Sequence, residues 1–447
     1  MEDCKGGPLV RVLLVNPATP LLWDPRIGEM MGILYVGAAL KEWTREKPEI
    51  SFWDGNYTDP MPEETDILMV TANSGTYPEA ERVASQIKAS LKIVGGPHPT
   101  STGLSPDSFF DVAVMGEGEQ TITELYNVYS IRHNIGDLVD IKGTAVRRGD
   151  KVIINPIREF LDIDAIPWPA RDLWPELGSI VAVASKGTKA GLGCGFITSR
   201  GCPFECNFCD LDMWRRKVRL RNVDDVLAEV KHLRDTYGIT HLRFQDDMIN
   251  LNKPRFKRLC YGLKELGIMW RAHTRTDHVS LEEFRMMKEC GCVEIGLGVE
   301  SGSQRILDLM RKHNTVEHHE QAIEWTHQVG LNARPYMIIG FPGETWESIK
   351  ESDDFIRRTK PAAGVTLSTF VPYPGSAVWK DPEKFGAKIT STDWSRYWLI
   401  GLEDTDQGFI SETPSISKEE LIAGRKMLYA TMEEVCGSRD RRKDVSC

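Results

Sequence analysis

The 447-residue sequence has no apolar run near the roughly 18 residues that a membrane span needs, so no spanning helix is expected. It lacks a surplus of positive charge. Its 55 Lys and Arg stand against 65 Asp and Glu, a net charge of −10, which excludes a general nucleic-acid binder with its basic footprint. The first residues, Met1-Glu2-Asp3-Cys4-Lys5, carry no apolar signal region, so a reducing cytoplasm is the expected location. Low-complexity tracts are missing, as is any repeat beyond strand–helix alternation. What is there suits a globular protein: 41% hydrophobic and 27% charged residues. At about 100–200 residues per domain, two to three domains are expected. Ten cysteines read as thiols or metal ligands, and three of the ten fall within eight residues.

Hydrophobic patterning divides the chain. Short apolar strands are predicted at 10–15, 50–53, 67–70, 91–94 and 112–115, with helices at 33–43, 78–90 and 119–129. Such alternation predicts a parallel, doubly wound sheet, whose ligands bind at the carboxyl ends of its strands. Residues 143–155 read as a hairpin turning at Gly149-Asp150. Four prolines, Pro156, Pro167, Pro169 and Pro175, argue against a regular element in the stretch they span. A second series begins near Cys194, with strands at 195–199, 241–245, 269–274, 293–299, 333–339 and 365–370. Helices at 223–237, 253–266, 281–289, 303–310 with 316–328, and 346–359 separate them. Six strand-then-helix units predict a partial (β/α)6 barrel of TIM type, with chemistry on the loops after the strands. Beyond about 388 the pattern fades to one helix at 421–435 and a charged tail at 438–447, expected to be disordered. The chain is thus expected to be α/β: a Rossmann-like domain at 8–135, a linker at 136–188, the barrel at 189–388, and a small, mainly α C-terminal extension at 389–447.

The strongest chemical signal is Cys202-Pro-Phe-Glu-Cys206-Asn-Phe-Cys209, directly after the first strand of the second series. Three thiolates on one short loop suit a soft metal centre, zinc or an iron–sulfur cluster. Structural zinc takes a fourth ligand, usually in paired spacings, whereas three ligands leave one iron of a four-iron cluster open. The C-x3-C-x2-C spacing, preceded by Thr198-Ser199-Arg200-Gly201, resembles the radical S-adenosylmethionine (SAM) enzymes. Gly95-Gly96-Pro97-His98-Pro99-Thr100, Gly116-Glu117-Gly118-Glu119 and Ile166-Pro167-Trp168-Pro169-Ala170-Arg171 resemble the cobalamin (B12)-binding subgroup of that family. The likeness covers roughly residues 10–390.

The resemblance implies that Cys202, Cys206 and Cys209 hold a [4Fe–4S] cluster whose open iron is chelated by SAM. An electron donor such as flavodoxin or ferredoxin would reduce it, and a 5′-deoxyadenosyl radical would take hydrogen from a small-molecule substrate. A methyl group would then pass from methylcobalamin to an unactivated carbon. Cyclisation, oxidation or ring contraction with both cofactors is the alternative, or radical chemistry without cobalamin. From another class comes an iron–sulfur redox or SAM-binding sensor.

The same resemblance assigns further residues. Gln245, Asp246 and Asp247 would meet the SAM amino group, or cap a helix. Glu300 and Ser301, after Gly296 and Gly298, would lie near the ribose, or form a capping turn. Gly340 begins a segment set beside the adenine. Arg275 or Arg334 would clamp the SAM carboxylate, or form an ordinary ion pair. In the first domain Gly95, Gly96, His98, Thr100, Gly116, Glu117, Gly118 and Glu119 would approach the corrin or its nucleotide tail; Glu119 also suits a helix start. The D-x-H-x-x-G motif of other cobalamin enzymes is absent, so no histidine is expected on cobalt. Residues 16–32, with Trp23, Met30 and Met31, would cover the lower corrin face or pack between domains. Five cations among the seven residues from Arg215 to Arg221 would meet the cobalamin phosphate or an anionic substrate, or form a solvated loop. The other seven cysteines lack a second cluster spacing. Trp379, Trp394, Tyr397 and Trp398 would line a substrate pocket or the core.

Overall fold

The computed structural model describes residues 9–19, 31–57, 59–174, 177, 181–182, 191–398 and 408–437. Trp23, Met30 and the tail at 438–447 lie outside the described residues. The chain forms two compact units: Met1–Pro175 with Asp393–Tyr397, and Glu176–Thr392 with Trp398–Cys447.

The first unit runs β1 (Arg11–Asn16), α1 (Met31–Trp43), β2 (Glu49–Asp54), β3 (Ile67–Thr71), α2 (Tyr77–Gln86), β4 (Leu91–Gly95), α3 (Pro97–Thr102), β5 (Val112–Val114), α4 (Glu119–Arg132), β6 (Thr144–Arg148) and β7 (Lys151–Ile154). Its sheet order is β2-β1-β3-β4-β5-β6-β7, parallel through β5 and antiparallel after it. Every residue of β3 is buried, as a central parallel strand covered on both faces requires. From β1 the sheet grows to one side with β2 and to the other with β3, so the topological switch point lies at their carboxyl ends.

Two expectations about boundaries are corrected here. The hairpin at 143–155 is not a linker: it extends the first sheet, with β6 covering the edge of β5 in the register Val112↔Val146. The reason is burial, since Thr144, Ala145 and Val146 are fully buried and their backbone pairing closes an otherwise open edge. The segment Asp393–Tyr397, placed by pattern in the C-terminal extension, belongs to the first unit, where Trp394 packs on the core around Tyr77 and Ala80.

The second unit runs β8 (Val181–Ala182), β9 (Gly191–Phe196), β10 (Ser199–Arg200), β11 (Arg219–Leu220), α5 (Val223–Tyr237), β12 (His241–Phe244), α6 (Lys253–Glu265), β13 (Met269–Arg275), α7 (Leu281–Glu289), β14 (Cys292–Glu300), α8 (Gln304–Leu309), α9 (Val316–Val329), β15 (Asn332–Ile339), α10 (Trp346–Thr359), β16 (Thr366–Thr369), α11 (Ala377–Lys380), β17 (Lys388–Ile389), β18 (Ser411–Glu412) and α12 (Lys418–Cys436). The sheet order β16-β15-β14-β13-β12-β9-β8 is that of a half barrel, parallel except for the short edge strand β8. Helices cover its outer side, where Trp270 meets Phe244 and Phe256 edge-on at 5.8 and 6.2 Å. Capping boxes at Ser280, Thr315 and Thr345 start α7, α9 and α10 where the pattern places them, and one at Ser417 starts α12 three residues before the expected 421. In the extension α12 packs on α10 and Glu434 pairs with Arg357 at 2.8 Å, while β17 and β18 add a small ladder not foreseen from pattern. No described helix is long and apolar enough to cross a membrane.

One glycine shows how closely the switch-point loops approach. Gly96 has φ +114°, and a Cβ there would lie 2.6 Å from the carbonyl oxygen of Ala72. That contact arises because Ala72 N–H donates to Gly95 O (2.8 Å) and His98 N–H to Ala72 O (3.3 Å), stitching the loops after β3 and β4 together. Gly96→Ala is therefore expected to destabilise the chain by about 1–3 kcal/mol, read as a lowered urea midpoint. A midpoint equal to wild type would contradict the collision.

Candidate functional site

The three motif cysteines lie on a loop whose ends are clasped together. β10 and β11 pair antiparallel, Ser199↔Leu220 and Arg200↔Arg219, on either side of it. At its start Gly201 has φ +97°, and a Cβ would lie 2.1 Å from Lys217 O, so only glycine lets the two ends meet. The stem is hydrogen-bonded throughout. Asp246 accepts from Thr198 N–H (3.1 Å), Thr198 Oγ1 (2.7 Å) and the Ser199 hydroxyl. Arg255 donates to Thr198 O and Arg221 O, both at 2.9 Å, and Arg221 Nη1 to Ile197 O at 2.9 Å. Asn207, between the second and third cysteines, donates from its backbone to Met310 O and from its side chain to Leu309 O.

Around this loop the structure assembles two cations. Lys312, buried, donates to the buried Glu300 at 2.6 Å. Arg275 stacks on Phe204 of the loop at 3.9 Å. Cys206 is lowered to about 7, chiefly by a hydrogen bond from Cys209 and further by the charges of Lys312 and Arg275, against the effect of burial. Cys209 correspondingly keeps its proton to higher pH. Burial raises the Cys202 thiol as well, so Cys206 alone of the three is poised as a thiolate. The fit to an iron–sulfur group rests on the donor set, three cysteines on one loop with Lys312 and Arg275 close by. Among the described residues no three His, Cys, Asp or Glu converge on a single ion. Cysteines of a four-iron cluster bind separate irons and need no common point.

Several predicted residues are placed differently from expectation. Asp246 is buried and turned to Thr198 and Ser199, so it holds the stem rather than a ligand or a helix start. Asp247 reaches solvent, but crowding protein atoms raise its carboxyl to about 6, with the Asp246 charge adding to the effect. Gln245 is half-buried, its N–H donating to Phe196 O. Arg275 is not a free clamp: it holds Asp277 through two hydrogen bonds of 2.9 and 2.8 Å. Arg334 likewise grips Glu294 at 2.7 and 2.6 Å. Ser301 is buried, and its hydroxyl accepts from Ser303 N–H in the turn before α8. Gly340 N–H donates to the buried Glu344, whose carboxyl burial raises to about 7. Glycines of β14 make room for side chains: a Cβ on Gly298 would lie 2.8 Å from Lys312 Nζ. Within the basic run Arg216 pairs with Glu205, and Arg221 with Asp225 and Glu229. Two residues missed by sequence reading are Lys312 and Asn207, which carry no motif of their own; Arg311 and His313, both at positive φ, flank the lysine.

In the first unit the predicted loops are joined through Thr100, whose Oγ1 donates to Gly96 O (2.7 Å) and accepts from Gly116 N–H (3.0 Å). Glu119 is buried in the first turn of α4; Glu117 and Gly118 precede it, half-buried. His98 is buried, with Nδ1 3.1 Å from Ser74 Oγ, and its ring is packed by Tyr77 at 4.2 Å and Trp394 at 4.6 Å. The loop after β3, absent from the sequence reading, closes on itself: Asn73 Oδ1 accepts from Thr76 N–H and Thr76 Oγ1 from Asn73 N–H. It borders the switch point, the signal that could have found it. Tyr397 and Trp398 are core residues, and Trp379 is half-buried.

The sequence pattern of the radical SAM superfamily matches residues 196–356. The chain is 30% identical over 417 residues to an uncharacterized methyltransferase of Pyrococcus horikoshii, spanning 88% of this chain and 87% of that protein. It is 26% identical over 430 residues to the cytidylyl-2-hydroxyethylphosphonate methyltransferase of Streptomyces wedmorensis, spanning 81% and 79%. Among solved structures, the radical SAM methyltransferase TsrM of Kitasatospora setae, with cobalamin and a [4Fe–4S] cluster bound, shares the fold: TM-score 0.68 at 16% identity, over 95% of this chain and 89% of that one.

Burial lowers His98 from its ordinary 6.5 to about 4. Between those values the unfolded chain binds a proton that the folded one refuses, so stability is full above pH 6.5 and falls as pH drops toward 4. His98→Gln is expected to remove up to ~1.4 kcal/mol per pH unit from that slope, read in urea unfolding at several pH values. An unchanged slope would refute the assignment.

Proposed function

This chain belongs to the cobalamin-binding radical SAM family, and from that premise we propose that it methylates an unactivated carbon of a small-molecule substrate. The observation that carries the reading is the cluster loop. It sets three cysteines after the first barrel strand, clasped at its stem, with Lys312 and Arg275 beside the thiolate-forming Cys206. That relatives bear the name methyltransferase over most of their length supports the reaction class. When bound, a [4Fe–4S] cluster with SAM supplies the radical that opens a C–H bond, and cobalamin supplies a transferable methyl group.

The chain's own residues hold, orient and shield. Cys202, Cys206 and Cys209 are the sulfur donors. Lys312 and Arg275 offset their negative charge, while Phe204 and Phe208 limit water at the loop. Asp247, with its raised carboxyl, suits a cationic partner such as the SAM ammonium, which would restore its charge; Gln245 precedes it on the same strand end. Glu300 and Gly340 are proposed for the ribose and adenine sides. Gly95, Gly96, Thr100 and the Gly116–Glu119 turn, with the Asn73–Tyr77 loop, are proposed for cobalamin at the switch point. A flavodoxin or ferredoxin in the cytoplasm is the proposed electron source.

Anaerobic reconstitution with iron and sulfide is expected to load a four-iron cluster and enable cleavage of SAM to 5′-deoxyadenosine, with Cys206→Ala losing both. Protein offered hydroxocobalamin is expected to retain about one equivalent, as one doubly wound site implies. Label from methyl-labelled SAM should appear in product. Unlabelled product formed alongside 5′-deoxyadenosine would move the reading to ring closure or oxidation, and no SAM cleavage would sink it.

A further inference from the structure

Lys312 and Glu300 form a buried ion pair beside the cysteine loop. Three bonds pin the lysine's segment to that loop. Asn207, between Cys206 and Cys209, donates from its backbone to Met310 O at 2.9 Å and from its side chain to Leu309 O at 2.8 Å. Arg311 holds Glu205 of the same loop at 2.7 Å. From the end of β13, Arg275 donates to Lys312 O at 2.6 Å. Lys312 Nζ then lies 5.9 Å from the ring of Phe208, the residue before Cys209.

The backbone is bent to present this pair. Glu300 has φ +66°, and Arg311 and His313, on either side of the lysine, have φ +53° and +58°. Left-handed backbone is uncommon outside glycine and gathers at functional sites. Gly298 keeps the space clear, since a Cβ there would lie 2.8 Å from Lys312 Nζ and 2.9 Å from Glu300 Oε1. A buried ion pair contributes little net stability, so stability alone does not account for three strained positions. Burial opposes the lysine's charge, but the Glu300 carboxylate and the Cys206 sulfur outweigh it and hold the ammonium above its ordinary range.

Glu300 does not cancel Lys312 at the sulfurs. At Cys206, after the hydrogen bond from Cys209 and burial, the lysine's lowering effect exceeds the carboxylate's raising effect. The same order holds at Cys209. Arg275, already paired with Asp277, is not counted toward this balance. The pair thus acts on the cysteines with a net positive sign, and its burial leaves that charge little screened.

We propose that Lys312 is a positioning residue for electron entry: its buried ammonium raises the reduction potential of the cluster, and Glu300 limits that rise. When the cluster takes one electron from its donor protein, no bond forms or breaks and no proton moves. Only the charge at the site changes, by one negative unit, and a fixed cation favours that change. The role depends on Cys202, Cys206 and Cys209 holding a four-iron cluster, as proposed above; it does not depend on what the radical then does.

The test is a redox titration of anaerobically reconstituted holoenzyme without SAM, with the reduced cluster read by electron paramagnetic resonance. At a fixed potential, Lys312→Met is expected to lower the ratio of reduced to oxidised cluster by about threefold or more; tenfold corresponds to about 59 mV for one electron. Glu300→Gln is expected to raise the same ratio, because the lysine is then unopposed. Lys312→Arg, which keeps the charge, is expected to lie nearer wild type than Lys312→Met. Arg258→Gln, which removes an exposed charge on α6, is expected to match wild type. A purely structural pair would shift the two charge-removing variants in the same direction or not at all, and either result would overturn the proposal. Should Lys312→Met take up no cluster, Glu300→Gln decides alone, and a ratio at or below wild type overturns the role. No cluster in wild type would remove both this role and the reading it rests on. Opposite shifts in a protein that does not cleave SAM would leave the role of Lys312 standing and remove the reaction assigned above.

Discussion

A buried carboxylate on a strand end governs the second unit. Among the described residues no cation is bonded directly to Asp246, and burial raises its carboxyl above the ordinary range despite its hydrogen bonds. It is tolerated because Thr198 and Ser199 surround it with donors. Those same donors are the last residues before the cysteine loop, so the carboxylate that needs them also fixes where the loop begins. Arg255 and Arg221 then tie the return of the loop to the same backbone. The cysteines need little regular structure of their own because the stem beneath them is over-determined.

The β14 strand applies the same economy to charge. Its alternate glycines leave space on the concave side, and polar side chains from neighbouring elements fill it. Gly298 admits the Lys312–Glu300 pair near the cluster loop, and Gly296 admits His273 against Tyr336 deeper in the lumen. A buried ion pair contributes little net stability once desolvation is counted. Here its value lies in carrying a positive charge to the cysteines without exposing it to solvent. Glu300 adopts φ +66° to present that carboxylate, a strained backbone that the surrounding packing holds in place.

Much of this was legible in the sequence, for local reasons. Helices over 223–237, 281–289 and 346–359 begin where the pattern predicts because Asn222, Ser280 and Thr345 cap them from the adjoining residue. The cysteine loop was legible because its ligands are contiguous. Less legible were residues whose meaning depends on distant partners. Arg275 and Arg334 have the side chain of an anion clamp, but Asp277 and Glu294 already occupy them. Lys312 follows a short helix with nothing to mark it, and its role exists only because β14 leaves a gap for it. The hairpin at β6 and β7 was read correctly as a hairpin, yet its membership in the first sheet depends on pairing with β5, which no local pattern announces.

The seating of Trp394 against His98 has a consequence for how the protein is made. Residues of the first unit emerge early from the ribosome, but the aromatic ring that completes the His98 stack is encoded nearly three hundred positions later. The first unit therefore cannot reach its finished packing until almost the whole barrel has been synthesised. Domains translated first usually fold first; here the early sheet must wait, partly assembled, for a late strap of chain. Any attempt to cut the protein at its apparent midpoint would separate that sheet from a piece of its own core.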